Sequence, residues 1–453
     1  MKNSILCIIL ILFSCAYLLF FLANKANGEI PPGTRQMINN AEKSAIDWLK
    51  SQMVPNDVVK LPAPDRRRLI LSYTVPPDDP VYKYIAPRSF IYDDAVAIVA
   101  FTMAGEIRSA EAIINTLWRL QRDDGSFYFT YNTHNSWPNE DDNEGAIIRT
   151  GALAWVGFAT VYYLNAMLEK YPDFIKKDII GERAFEVSRK LADFMVNHQV
   201  NDKESPLYGL ITGGYGEYVL KIEDGKLVER FNRAALNWAS SEHNIDAYFF
   251  LRDFGRLTEN EKYLKSAEKI TLGLSKLWST MDGQFYRGIK GDGKIDRALP
   301  LDCASWAEMY LIAIGDMNRA RKTLNTIEAK YRISRNGLNG YRPYASGPIY
   351  EDPEVNRYFK SQLGFNTWEK SDLIWIEGNM GVAAAFYKAG DKNKAQDIVK
   401  WSLQFQNNGG FLYANKNIPY HFNSYPSVAS TGWFIILAEI MKSEKKNRSF
   451  WDK

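Results

Sequence analysis

The sequence predicts an all-α fold, an (α/α)6 toroid of six helical hairpins, from three observations. Helix-like segments alternate between two kinds along the chain. The connections between them alternate between short and long. Acidic residues recur where one kind of segment begins.

One kind of segment is amphipathic and covers residues 41–53, 107–121, 183–199, 261–278, 317–331 and 393–406. In 107–121, Ile113, Leu117 and Leu120 recur at helical spacing, while Arg108, Glu111 and Arg119 occupy the rest of the surface. The other kind is apolar almost all round and covers 93–104, 147–168, 242–255, 302–315, 375–389 and 427–441. A helix apolar on every face has to be buried on every face. Six of each in strict alternation describe an inner ring enclosed by an outer one.

Tight turns such as Gly105-Glu106, Gly315-Asp316 and Gly390-Asp391 lead from an inner to an outer helix. The longer segment 169–181 is the exception. Thr258 with Glu261 reads as a capping box that starts an outer helix. The returns are long: 122–146, 200–241, 279–301, 332–374 and 407–426. In an up-down ring they all emerge at one end, where the inner helices begin, and long loops in compact domains tend to carry function. Three of them place a glycine and then an aromatic just past an outer helix: Gly125 and Phe127, Gly283 and Phe285, Gly409 and Phe411. The glycine suits a left-handed helix stop, and the aromatic can pin the chain back onto the ring, in places as a short strand.

Length alone, 453 residues, would suggest two or three domains, but a repeat overrides that prior. The expected organisation is one toroid over 29–445, a leader over 1–28 and a polar tail over 446–453. Residues 5–22 are apolar apart from Ser14, a run between a secretory core and a spanning helix in length. They predict export, by a cleaved signal or a membrane anchor, to a periplasmic or extracellular location. Only Cys303 lies beyond this leader, so no intramolecular disulfide is expected there. A net charge of +3, from 56 basic and 53 acidic residues, leaves no basic footprint for nucleic acid. The expectation is a monomer that meets a membrane only through its N-terminus. Tyr and Trp are abundant, at 26 and 12 residues, and their flat faces with a polar edge suit sugar rings as well as cores.

The inner segments open on acids: Asp93 and Asp94, then Asp141, Asp142 and Glu144, then Glu242 and Asp246, then Asp302, then Glu377. First turns favour carboxylates for capping and for the helix dipole, and Asp302, between Leu301 and Cys303 with Ser305 following, reads as such a cap. Glu242 and Asp246 fit that account less well. Four residues apart, they share one helical face and repel each other, with His243 and Asn244 in the same turn. Glu377 sits between Ile376 and the stretch 378–385, where a charge is unexpected. A carboxyl against an apolar wall holds its proton and can act as a general acid. A second carboxylate across the ring could activate water, the pairing that inverting glycoside hydrolysis requires.

Other chemistries find less support. His134, His198, His243 and His421 are scattered without zinc-site spacing, and the acid-rich 139–144 lacks the spacing of an EF-hand loop and reads as solvated. There is no nucleophile elbow, P-loop or dinucleotide fingerprint, so neither metal nor cofactor is expected. A toroidal terpenoid cyclase would need D-x-D-D, and Ile91-Tyr92-Asp93-Asp94 lacks the first Asp.

Four stretches together resemble a branch of the six-hairpin glycosidase-like superfamily: Glu242-His243-Asn244-Ile245-Asp246-Ala247-Tyr248, Leu301 to Trp306, Trp375-Ile376-Glu377-Gly378 and Pro426 to Phe434. The resemblance covers roughly residues 35 to 442. It implies a toroid acting on glycans in exopolysaccharide or cell-envelope settings. It also implies that Asp94, Glu242 and Glu377 occupy helix starts where toroidal glycosidases keep their acid and base. The wider superfamily includes hydrolases, lyases and epimerases, so the fold does not settle the reaction. The expectation is an exported glycoside hydrolase, inverting. Glu242 would be its acid and Glu377 or Asp94 its base, with Asp246 in support. Asp93, His243, Asn244, Trp306, Trp375, Tyr341, Tyr344 and Tyr425 would bind sugar. The alternatives are a lyase or epimerase using His243, Tyr248 or His421 as base, and a non-catalytic glycan-binding envelope protein.

Overall fold

A computed structural model describes residues 30–136, 145–335 and 337–452. The predicted leader and the acidic stretch 139–144, with Asp141, Asp142 and Glu144, lie outside the described residues.

The inner helices are Ile91–Ala104, Thr150–Leu168, Ser241–Thr258, Asp302–Ala313, Ile376–Lys388 and Val428–Lys442. The outer helices are Pro32–Ser51, Ile107–Leu120, Ile179–Asn197, Glu261–Ser275, Met317–Lys330 and Lys392–Leu403. Each inner helix packs on the next, and the sixth closes onto the first. Each outer helix backs one inner partner, and Pro32–Ser51 backs the sixth. The result is the (α/α)6 toroid that the alternation predicts.

Burial explains the alternation. Thr150–Leu168 is buried on every face from Thr150 to Leu164. It is the one helix among the described residues long and apolar enough to cross a membrane, and here it is a wall of the ring. Gly157 lets it approach the third inner helix closely, because a Cβ there would lie 2.4 Å from the Phe250 ring. The turn after the first inner helix is left-handed at Gly105 (φ 81°), and the return glycine Gly125 (φ 88°) is left-handed too. The aromatics that follow the return glycines, Phe127, Phe285 and Phe411, are all buried.

Three expectations need correction. The capping box at Thr258 does not form, because the inner helix runs on through Thr258, whose hydroxyl donates to Phe254 O. Asn260 caps the next helix instead, its side chain accepting from Lys262 N. The return 200–241 is also more than a loop. Its strands Gly214–Glu223 and Lys226–Leu236 form a long antiparallel hairpin turned by Asp224 (φ 50°) and Gly225 (φ 73°), as a tight two-residue hairpin requires. The base of this hairpin pairs with Ile148–Arg149, ahead of the second inner helix. Its first strand also packs on the short helix Pro353–Leu363, ahead of the fifth. The second and fifth positions face each other across a six-membered ring, so the hairpin arches over the open end.

The tail, read as polar, also carries two residues of the core. After the short helix Glu444–Ser449, Phe450 and Trp451 turn inward and are buried. They follow the C-terminal end of the sixth inner helix, so they enter the ring from the end opposite the returns. The Trp451 ring lies parallel to Phe249 at 4.7 Å and also packs on Trp155, Trp306 and Trp433. Removing a buried Trp side chain leaves a cavity and destabilises by about 3–5 kcal/mol. Trp451→Ala is therefore expected to lower the urea midpoint clearly, and an unchanged midpoint would show that the tail is no part of the core.

Candidate functional site at the mouth of the ring

The inner helices begin at the mouth, so their first turns bring distant residues together. Glu242 and Asp246 come from the third helix, Asp302 from the fourth, Glu377 from the fifth, and Asp93 and Asp94 from the first. Capping does not account for Glu242 and Glu377. Ser240 caps the third helix, accepting from His243 N, and the first and fifth helices have no side-chain cap.

Asp302, set aside above as a cap, belongs to the cluster. One of its oxygens does accept from Cys303 N at 2.7 Å. Its carboxyl also shares a hydrogen bond with Glu242, which requires that one of the two keep a proton. Burial, followed by repulsion from Asp302, Asp246 and Glu377, holds the Glu242 carboxyl well above the usual carboxylate range. Asp246 is 2% exposed and is likewise pushed well up, by burial and then by Asp302. Trp155 lies close enough to favour the charged form of Asp246 without closing a full hydrogen bond, and Asp246 Oδ1 has no partner.

On the next helix round the ring from Asp302, Glu377 is 5% exposed and accepts from the Tyr92 hydroxyl at 2.5 Å. That hydroxyl in turn accepts from Trp433 Nε1 at 2.9 Å. Burial pushes Glu377 up to about 8, against the opposing pull of the Tyr92 bond. Asp93 also rises to about 8 through burial, partly offset by a hydrogen bond with Ser72. Aromatic rings line the rim. Tyr413 lies among Glu377, Asp93 and Glu242, edge-on to Tyr73 at 6.0 Å and to Trp375 at 6.4 Å. Tyr344 stacks on Trp368 at 5.1 Å, beside Arg287 and within reach of the Asp302 and Glu242 charges.

The other predicted residues fall elsewhere. Asp94 is a strut, with Oδ1 accepting from Ile70 N and Oδ2 from Ser89 Oγ. His243 wedges its ring between Gly151 and Trp238, beside Arg149, and burial holds it neutral with a value of about 3. No carboxylate contributes to that shift. Asn244 is buried and spends its amide on the Ile211 backbone and Ser240 O. Tyr341 is buried with its hydroxyl on Glu328 of an outer helix, and Tyr425 tethers Asp79 at the rim. Trp306 stacks on Trp433 at 5.6 Å, below the mouth. Residues the sequence reading missed are Tyr92, Tyr73, Tyr413, Trp155 and Trp433. Signals existed for Tyr92, which directly precedes the Asp93-Asp94 pair, and for Trp433, which lies in the stretch Pro426 to Phe434.

Glu377, Asp93 and Asp94 keep their protons to about 8, 8 and 7, because all three are buried. Unfolded, they would lose them near pH 4. Between those limits the folded chain binds more protons, so this contribution to stability is full in acid and is lost as pH rises toward 8. The denaturation midpoint should therefore fall between pH 5.5 and 8.5, and Glu377→Gln, which stays neutral, should flatten that slope. An equal slope in the variant would show that Glu377 ionises normally.

No known family of protein sequences matches the chain, and no curated protein does either. Solved structures do resemble it. A D-mannose isomerase superposes with a TM-score of 0.59 at 11% identity, covering 91% of this chain and 100% of that one. A glycosidase in complex with glucose gives 0.58 at 10% identity, over 91% and 99%. A GH76 α-mannanase from Bacteroides thetaiotaomicron gives 0.51 at 11% identity, over 89% and 96%. At such identities the likeness concerns the fold alone, an (α/α)6 toroid.

Proposed function

We propose that this chain is an exported carbohydrate-active enzyme, a glycoside hydrolase that inverts, with Glu242 as general acid and Glu377 as general base. The observation that carries the reading is the buried pairing of Glu242 with Asp302, at the same mouth as a Glu377 held by Tyr92. Acid and base roles follow when environments push two carboxyls apart. Three neighbouring carboxyls and burial raise Glu242, whereas the Tyr92 hydroxyl favours the ionised form of Glu377. Glu242 would protonate the glycosidic oxygen while Asp302 holds it in place. Glu377 would take a proton from the water attacking the anomeric carbon from the other face. Rim aromatics such as Tyr413 and Trp375 offer faces for sugar rings. The likeness to a glycosidase that holds glucose and to a mannanase supports a glycan substrate. The apolar residues 5–22 support export. The strut role of Asp94 leaves the base role to Glu377.

The test is a polysaccharide panel with product anomers read by NMR. Inverted products are expected. Retained anomers, an isomerised sugar or an unsaturated product absorbing in the ultraviolet would overturn the assignment. Glu242→Gln should lower kcat by about 10²–10⁴-fold with an unchanged circular dichroism spectrum. The acid limb of kcat/KM should lie near pH 8, where Glu377 ionises. Tyr92→Phe removes the bond that favours the ionised form, so that limb should move to higher pH. A limb that stays in place would remove Glu377 from the base role.

A further inference from the structure

We propose that the mouth selects an amino sugar in its ammonium form, seated with its nitrogen among Glu242, Asp246 and Asp302. This rests on reading the mouth as a glycan site and names the class of glycan.

The first observation is a charge imbalance. Asp93, Glu242, Asp246, Asp302 and Glu377 meet at one mouth, and among the described residues none of them forms an ion pair with Lys or Arg. The cations nearby are engaged. Arg287, beside Tyr344, is held by Asp296 and Glu351. Arg149, beside His243, donates to Gly216 O at 2.6 Å and lies over Trp238. Buried carboxyls without a counter-charge are costly, and the described residues supply none.

The second observation is independent of charge. Asp246 is 2% exposed, yet its Oδ1 has no hydrogen-bond partner, the nearby Trp155 indole stopping short of one. A folded chain seldom leaves such groups unpaired unless something else completes them. Asp246 lies near Asp302 and one helical turn from Glu242, so the three carboxyls form a cluster in which the Trp155 indole beside Asp246 completes no bond to its Oδ1. A metal ion would need ligands converging on one point, and no three His, Cys, Asp or Glu side chains among the described residues are so arranged. An ammonium makes a looser demand. It offers three N–H donors that can reach three separate oxygens, Asp246 Oδ1 among them. Tyr413, Tyr73 and Trp375 at the rim could stack on the sugar and add cation–π attraction. A uronic acid or sulfated sugar would instead place its anion among five carboxyls with no free cation to meet it.

Proton linkage makes this inference measurable. An ammonium favours the ionised carboxylates, so its binding should release protons that the empty mouth retains. The experiment titrates the full-length protein in detergent with glucosamine and galactosamine, glucose and galactose, and glucuronate and galacturonate. Calorimetry is run in two buffers of different ionisation enthalpy. The amino sugars should bind about tenfold or more tightly than the neutral sugars, with the uronates weakest. Their binding should release about one proton. Asp246→Asn should abolish both that preference and the proton release, and a variant that kept either would overturn the inference. Neutral sugars or uronates binding as tightly as amino sugars, or no proton release, would overturn the amino-sugar inference and leave the glycan reading standing. Failure of all six sugars to bind would overturn both.

Discussion

Closure of the inner ring is the constraint on which the rest depends. A helix buried on every face, such as Thr150–Leu168, has no solvent side and needs neighbours all round. Six such helices satisfy one another only when the sixth, Val428–Lys442, packs back on the first, Ile91–Ala104. Once the ring closes, every inner helix starts at the same end, and the return loops must surface there. Residues more than 280 positions apart in sequence, such as Tyr92 and Glu377, then meet within hydrogen-bond distance. The site is a product of the closure.

The chemistry of the mouth works against stability. Carboxyls crowded in a buried place repel one another, and the structure accommodates them by sharing protons, as between Glu242 and Asp302, and by directing hydroxyl and indole donors at them. Those donors rest on an aromatic floor. Trp433, which donates to Tyr92, stacks on Trp306, and both contact Trp451 from the tail. The C-terminal residues thus support the same layer that orients the acids from below. Local strain of this kind is common where function needs a perturbed group.

The fold was legible because it rests on a repeated pattern, and a ring helix announces itself by lacking a polar face. The site was only partly legible. Glu242, Asp246 and Glu377 stood out because their neighbours made a charge unexpected. Asp302 was passed over because a carboxylate at a first turn looks the same whether it caps the helix or faces a cavity, and here it does both. Tyr341 and Asn244 show the reverse error. They lie near the mouth in sequence, but each turns its polar atoms to the backbone or to an outer helix. Tyr413 had no local signal, since only the closed ring brings it to the acids. Trp451 was hidden beside Lys445, Lys446, Asn447 and Arg448, whose polarity made the whole tail read as solvated.

The pairing of Pro32–Ser51 with Val428–Lys442 has a consequence for how the chain comes to be folded. Glu42 and Lys442 form an ion pair although 400 residues separate them. During synthesis from the N-terminus, the first outer helix emerges long before its partner exists. The inner helices made in between would present an open seam of apolar surface until the sixth arrives. Contacts at such separation make folding slow and leave intermediates prone to association. A C-terminal truncation that deletes the sixth inner helix would therefore remove the keystone for both ends of the chain, and its effect should reach helices it never touches.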